Sequence, residues 1–204
     1  SADDAHAPPP LQPAPLPETV NGREYGAAFR PVRADEKHTR ILVVLDSNLD
    51  PPGFDGSVSG AAVARQLRQM GVTDVTVVMH TGASPSELHA LLEGGFADDV
   101  TVKDREGREH VCNLCMQHDL CVFVDDMPFV LLALHSALER TVYGRVPGAA
   151  LATGAPGGDA AVAPACGTTN LGMRYAMLSE QSDLELLYGI CRREITFDRN
   201  VLYW

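Results

Sequence analysis

The chain has 204 residues, of which 45% are hydrophobic, and 16 basic against 27 acidic residues give it a formal net charge of -11. This length suits one α/β domain with extensions. The acidic balance argues against a nucleic-acid groove, because phosphate binding needs clustered Lys and Arg, and a basic protein surface is the more natural partner. No apolar run approaches the roughly 18 residues of a membrane span, so no direct membrane span is expected.

The first 17 residues are rich in proline and hold six of the 14 prolines of the chain. This composition favours an extended polyproline-type arm that cannot form a core alone. Such an arm becomes ordered by lying on another surface, which favours a subunit of a larger assembly. The chain begins at Ser1 instead of Met, as after removal of a targeting segment or after trimming. We therefore expect the mitochondrial matrix, with the cytoplasm as the alternative.

An unbroken apolar run over residues 41–45 opens the domain, which we place at residues 39–194, between an arm and connector (1–38) and an aromatic tail (195–204). A β-branched run without polar alternation is typical of a parallel strand buried on both faces. A Pro/Gly loop and a helix that ends at Gly71 follow it. The fold prediction is an α/β three-layer sandwich with a mainly parallel sheet of about five strands.

The remaining elements follow from turn and capping signals. Ser84, Pro85 and Glu87 form the start of a helix that runs to about Glu93. Alternating polar and apolar residues at 100–103 and 109–112 predict a solvent-facing hairpin insertion. We further expect strands at 74–79, 120–124, 149–153 and 159–163, helices at 129–142, 171–178 and 184–193, and an edge strand or docking segment at 195–204.

Polar residues collect at the predicted strand ends, where open α/β sheets form their ligand crevice. Carboxylates and hydroxyls beside helix N-termini can bind a small polar molecule, and a carboxylate pair can do acid–base work. The same residue types also serve as caps and turn formers, so both interpretations stay open. The set comprises Asp46, Asn48, Asp55, His80, Asp125, Asp126, Thr153, Thr168, Thr169 and Asn170.

The cysteines raise the question of a metal site. Five cysteines is an odd number, and most lie in or beside core segments, which indicates a reducing compartment. Cys112, Cys115, His118 and Cys121 are spaced three apart, and thiolates with imidazole are ordinary zinc ligands. A zinc site, a redox pair of Cys112 and Cys115, and unliganded thiols are all open, and the last is the expectation.

Familiar catalytic and cofactor motifs are missing. The Gly56–Gly60 turn lacks the register of the dinucleotide fingerprint, and the chain has no Gly-Lys-Ser/Thr sequence. It has no Gly-x-Ser-x-Gly or His-Glu-x-x-His sequence either. No cofactor is expected.

Two segments resemble one family. Asp55-Gly56-Ser57-Val58-Ser59-Gly60-Ala61, with the helix that follows, is similar to the Asp-Gly-Pro-x-Gly-Ala segment of D-glutamate cyclase-like proteins. Gly167-Thr168-Thr169-Asn170-Leu171-Gly172 resembles the Gly-Val-Ser-Asn-Trp-Gly loop of that family. The resemblance implies a lyase that interconverts D-glutamate and 5-oxoproline. The pocket positions that it implies are Asp55, Gly56, Asp125, Thr169 and Asn170.

The departures from the family point to a loss of activity. Its glycine- and acid-rich loop has at most a remnant at residues 154–159. Asp126-Met127-Pro128 replaces the Arg-x-Gly that follows the family's strand glutamate, at the position of Asp125, and Leu171 replaces the loop tryptophan. We therefore expect a non-catalytic structural subunit of a large mitochondrial assembly, held through the N-terminal arm and the C-terminal tail. The alternative is an active carbon–nitrogen lyase acting on a small amino acid. Its candidate catalytic residues are Asp55, Asp125 and Asn170, and its ligand-binding residues are Asp46, Asn48, Gly56, Thr168 and Thr169.

Overall fold

The computed structural model describes residues 19–20, 23–24, 28–82, 84–143 and 172–203. Several of the expectations above concern residues outside this part of the chain. They are the proline-rich arm, the strands at 149–153 and 159–163, the loop remnant at 154–159, and the segment with Thr168, Thr169, Asn170 and Leu171.

The described residues alternate strands and helices. The ten strands are β1 (Thr19–Val20), β2 (Arg23–Glu24), β3 (Phe29–Pro31), β4 (Ile41–Leu45), β5 (Val75–Thr81), β6 (Asp99–Val102), β7 (Leu120–Val124), β8 (Arg174–Leu178), β9 (Ile195–Phe197) and β10 (Val201–Tyr203). The five α-helices are α1 (Gly60–Gln69), α2 (Pro85–Glu93), α3 (Arg105–Cys115), α4 (Pro128–Tyr143) and α5 (Leu184–Cys191).

Six parallel strands form the central sheet in the order β10-β8-β7-β4-β5-β6. The chain builds one half from β4 outward through β5 to β6, and then returns to add β7, β8 and β10 on the other side. The order therefore reverses between β4 and β7. In open parallel sheets the ligand crevice lies at this switch point, outside the carboxyl ends of the strands.

Helices cover both faces of the sheet, as predicted for a three-layer α/β sandwich. One core joins the sheet to α1 and α5, through side chains such as Val63, Leu67 and Leu187. The other core joins it to α3 and α4, through side chains such as Val111 and Leu131. All five residues of β4 and all five of β7 are buried, as expected for central parallel strands.

The segment predicted as a hairpin has a different structure. Residues 99–102 form a parallel edge strand next to β5, and residues 109–112 belong to helix α3. Asp104 caps this helix by accepting a hydrogen bond from the Gly107 amide at 2.7 Å. Val111, Cys112 and Cys115 are buried on one face at helical spacing. The helical period of the apolar residues therefore prevails over the short alternation at 109–112.

A second correction concerns residues 171–178, which we predicted as a helix. Residues 174–178 form strand β8, which pairs with β7 on one side and β10 on the other. Four of its five residues are buried, because it lies inside the sheet and is covered on both faces. The tail takes the edge-strand alternative: β10 closes the sheet, and β9 pairs with β3. Phe29 anchors the connector by packing edge-on against Phe197, with ring centroids 5.9 Å apart.

The helix predicted at residues 85–93 is confirmed, with a capping box between Ser84 and Glu87 and proline in its first turn. Within the described part of the chain, no helix combines the length and apolar character that a membrane crossing requires.

Candidate functional site

Three polar side chains lie side by side where three neighbouring strands end. Leu45 of β4 is in register with Met79 of β5 and with Val124 of β7, so Asp46, His80 and Asp125 are the next residues on adjacent strands. Side chains alternate between the faces of a sheet. All three therefore point to the face that α3 and α4 cover, and they border one narrow void. Each of the three is buried.

Lys103 reaches this row from the edge strand β6. Its backbone amide donates to the Thr81 carbonyl at 2.9 Å, which holds it at the carboxyl edge of the sheet. Its Nζ lies 2.5 Å from Asp46 Oδ2 and 2.8 Å from Asp125 Oδ2. The three side chains are only 15%, 7% and 4% exposed for Lys103, Asp46 and Asp125. One ammonium thus bridges two buried carboxylates exactly where the strand order reverses.

Burial and the ion pairs shift the pKa values of the cluster. Burial raises the pKa of Asp46 from 3.8 to about 6, although the hydrogen bond from Lys103 acts in the opposite direction. Burial also raises the pKa of Asp125. For Lys103, burial would lower the pKa, but the hydrogen bonds to Asp125 and Asp46 outweigh it and raise the pKa. Lys103 therefore stays charged, while its two carboxylate partners compete for a single balancing cation.

His80 lies in the same row and is neutral. Burial, followed by the nearby charges of Lys103 and Arg108, lowers its pKa from 6.5 to about 4. Neither ring nitrogen has a hydrogen-bond partner, and the void that His80 borders with Asp46 and Asp125 has no room for a water molecule. A buried polar group without a partner costs free energy. Its place beside two acid–base groups suggests that this cost is retained for a role in the site.

The loop after β4 is held tightly over the sheet edge. The Gly60 amide donates to the Ser47 carbonyl at 3.0 Å, and the Ser47 and Thr81 hydroxyls are hydrogen-bonded. A Cβ atom at residue 60 would lie 1.8 Å from the Asp46 carbonyl oxygen. Only glycine allows α1 to begin this close to the strand end. The start of α1 is thereby fixed next to the Asp46 backbone.

A cavity of about 670 Å³ opens beside the cluster. Its volume is in the range of small-molecule sites. Asp46, Lys103 and Asp126 form part of its wall, together with the start of α1 and one side of α2. Phe96 and Met127 supply apolar surface. The charged cluster is therefore accessible to a small molecule.

The three carboxylates Asp46, Asp125 and Asp126 have oxygens within 4.8 Å of one another, and they are the only group of this kind among the residues that the structure describes. Lys103 already lies within ion-pair distance of two of them. A side chain of the protein itself thus supplies a cation to two of these three acids.

The structure brings together only part of the predicted site. Asp46, His80, Asp125 and Asp126 meet at the switch point, and Asn48 lines the cavity. Asp55 lies in a separate surface crevice, where Gln181 Nε2 donates to its Oδ2 at 3.1 Å. Bonds from Ser57 and Gln181 lower the pKa of Asp55, so it is a turn-forming carboxylate. Gly56 takes a left-handed conformation with φ of +77° beside it.

The cysteine cluster is largely part of the core. Cys112 and Cys115 lie on α3 and Cys121 on β7, and all three are buried free thiols. Burial raises the pKa of Cys112 to about 12 and that of Cys115 well above its usual range. The His118 ring nitrogens lie 2.8 Å from the Leu114 carbonyl and 3.0 Å from the Thr76 hydroxyl. These contacts fit the interpretation of unliganded thiols.

Sequence reasoning missed Lys103. The hairpin prediction placed it at the end of a solvent-facing strand, whereas it directly follows the parallel edge strand β6 and its side chain is largely buried. The signal that could have found it is its position directly after an apolar segment, the same position that drew attention to Asp46 and Asp125.

Comparison of the chain with protein-family profiles, with curated proteins and with solved structures finds no match.

Proposed function

We propose that this protein is an enzyme that uses acid–base chemistry on a small molecule bound in the 670 Å³ cavity. The observation that carries the proposal is the bridge from Lys103 to Asp46 and Asp125 at the switch point of the sheet. A fold can hold a buried ion pair for structural reasons. Here, however, two of its members also form the wall of a cavity large enough for a substrate.

Asp46 is the proposed general base. Asp46 lines the cavity, and its pKa of about 6 lets it accept and return a proton near neutral pH. Lys103 stays charged and can stabilise negative charge that develops on a substrate oxygen. Asp125 holds Lys103 from the other side and accepts a hydrogen bond from the Met127 amide at 2.9 Å, which fixes its orientation.

The reaction class that suits these groups is cleavage or formation of a carbon–nitrogen bond. In cleavage of an amide, Asp46 would take a proton from a water molecule as the water oxygen bonds to the carbonyl carbon, and Lys103 would stabilise the resulting oxyanion. The proton would then pass to nitrogen as the carbon–nitrogen bond breaks, and bond formation is the reverse. This reaction class is the one that the resemblance to D-glutamate cyclase-like proteins implies, but the acidic lining of the cavity disfavours a dicarboxylate such as D-glutamate itself. The structure places Asp55 outside the cavity, so the proposed machinery is Asp46, Lys103 and Asp125.

The test is a turnover screen that begins with D-glutamate and 5-oxoproline and continues with small amines and amides. We expect the rate to rise with pH through about 6 and to fall by roughly 10²-fold or more in Asp46→Asn. Asp55→Asn is the matched control, because it removes an exposed carboxylate from another crevice. Equal turnover by wild type and Asp46→Asn on every active substrate would refute the proposed role.

A second proposal, a non-catalytic subunit of a large mitochondrial assembly, is favoured by one surface feature. Met127, Phe129 and Leu132 are 41%, 66% and 52% exposed at the start of α4. Neighbouring exposed apolar side chains are typical of interaction sites. Mass spectrometry of proteins that co-purify with the full chain tests this second proposal. Phe129→Asp should lose partner proteins that the wild type binds. Leu92→Asp, which changes an exposed leucine on α2, is the control and should retain them.

A further inference from the structure

The cavity beside Lys103 has an unbalanced charge that indicates its ligand. Among the residues that the structure describes, four carboxylates line it, from Asp46, Asp50, Glu87 and Asp126, against one ammonium, that of Lys103. The formal excess is three negative charges. The ligand should therefore bring positive charge.

Helix N-termini offset part of this excess but not all of it. Helices α1, α2 and α4 begin around the cavity, and each helix N-terminus carries roughly half a positive charge. Together they balance about half of the excess. The Glu87 carboxylate is also partly engaged, because the Ser84 amide donates to it at 2.8 Å. An excess of negative charge therefore remains in the cavity wall.

One polar atom beside the cavity lacks a partner. Asp126 Oδ1 is buried without a hydrogen-bond partner, and Asp126 lines the cavity. Buried polar atoms in folded proteins are nearly always paired, so this acceptor suits an N–H donor from a ligand.

The remaining wall defines the rest of the ligand. Phe96 and Met127 provide apolar contact, and Lys103 Nζ offers a hydrogen-bond donor at the base of the cavity. We infer that the site takes a small molecule with a protonated amine near Asp126, a short apolar body, and a carbonyl or similar acceptor directed at Lys103. This inference rests on the proposed function, and it names the substrate class.

Anionic substrates fit the same site poorly. Arg65 lies nearby, but its guanidinium stacks on Phe96 at 4.7 Å from the ring centroid and is not part of the cavity wall. A phosphate or dicarboxylate would have to share Lys103 with Asp46 and Asp125, and it would face Asp126 across the cavity. Like charges at such distances in a partly shielded site are strongly unfavourable.

Three probes that share one carboxamide test the inference at equilibrium: 5-aminopentanamide (cationic), pentanamide (neutral) and 4-carbamoylbutanoate (anionic). Binding to the full-length protein is followed by amide chemical shifts in NMR titrations. We expect the cation to bind about tenfold more tightly than the neutral probe, as for one partly shielded charge pair, and the anion to bind least tightly. The preference should shrink in 0.5 M salt, where the Debye length is only about 4 Å.

Two variants locate the preference. Asp126→Asn should reduce the ratio of cation to neutral affinity at least threefold, and Asp50→Asn, an exposed position that α4 does not depend on, should reduce it less. Asp55→Asn should leave the ratio unchanged. Tighter binding of the anion, no binding of any probe, or a ratio that neither cavity variant alters overturns the inference. Asp46-dependent turnover of a neutral or anionic substrate would overturn this inference and leave the proposed function in place. Binding of the cationic probe without Asp46-dependent turnover of any substrate would count against the proposed function alone.

Discussion

Replacing Lys103 by methionine removes the only cation, among the described residues, that lies within hydrogen-bond distance of Asp46 and Asp125. The two side chains have similar length, so packing is largely kept while two buried carboxylates lose their partner. Breaking a buried ion pair from one side typically costs about 3–5 kcal/mol. For a domain of this size, that loss corresponds to a fall in Tm of about 6–20 °C. The chain has only two lysines, and the exposed Lys37 provides the matched control.

Urea unfolding at pH 8, followed by circular dichroism, measures this cost. Lys37→Met should unfold with the wild-type midpoint. The triple variant Lys103→Met, Asp46→Asn, Asp125→Asn should recover most of the lost stability, because no buried charge then remains unpaired. Wild-type stability in Lys103→Met, or no recovery in the triple variant, would refute the reasoning that one buried ammonium supports both carboxylates.

Three further predictions concern the neighbours of the cluster. Folding raises the pKa of Asp46, so the contribution of this group to stability is lost as pH rises from 3.8 through about 6. Folding lowers the pKa of His80, so the contribution of the imidazole is lost as pH falls from 6.5 through about 4. Relative to wild type, Asp46→Asn should therefore gain stability with rising pH and His80→Leu with falling pH, each by up to about 3 kcal/mol. Urea titrations measure this, and profiles of stability against pH that run parallel for variant and wild type would contradict it. At pH 7, His80→Leu should stabilise the fold by about 1 kcal/mol or more, because it removes an unpartnered polar group. His118→Leu should destabilise the fold by a similar amount, because it removes two contacts of the ring nitrogens. Equal effects of the two changes in thermal melts would argue against an unpartnered His80. Gly60→Ala should lower the free energy of unfolding by about 1–3 kcal/mol and lower turnover, because the new Cβ would collide with the Asp46 carbonyl. Gly82→Ala is the control and should not lower stability, because the space around Gly82 is open. Unchanged stability in Gly60→Ala would show that the close approach is not rigid.

The apolar runs of the sequence predict the central sheet well. Strands β4, β5 and β7 are unbroken or nearly unbroken apolar segments, and such segments have few alternatives to burial on both faces. The helix after Ser84 follows from capping chemistry that is local to a few residues. These features depend on neighbours in the chain, which is why sequence reasoning finds them.

The charged cluster depends on contacts that are distant in sequence. Asp46 and Lys103 are 57 residues apart, and their meeting requires β6 to join the sheet in parallel beside β5. A short alternating segment can pair in either direction, and the hairpin prediction assumed the antiparallel one. It therefore excluded the observed arrangement. Strand β8 was missed for a related reason: residues 174–178 carry no periodicity that separates a buried strand from a buried helix.

Direct titration of Asp46 tests the central claim, that a buried carboxylate at the switch point exchanges a proton near neutral pH. Carbonyl ¹³C NMR of aspartate-labelled protein between pH 3 and 9 follows this group, and Asp46→Asn assigns its resonance. The account predicts a pKa of about 6 for Asp46. A midpoint at the ordinary aspartate value of 3.8 would show a carboxylate that is only a structural partner of Lys103, and would contradict the account.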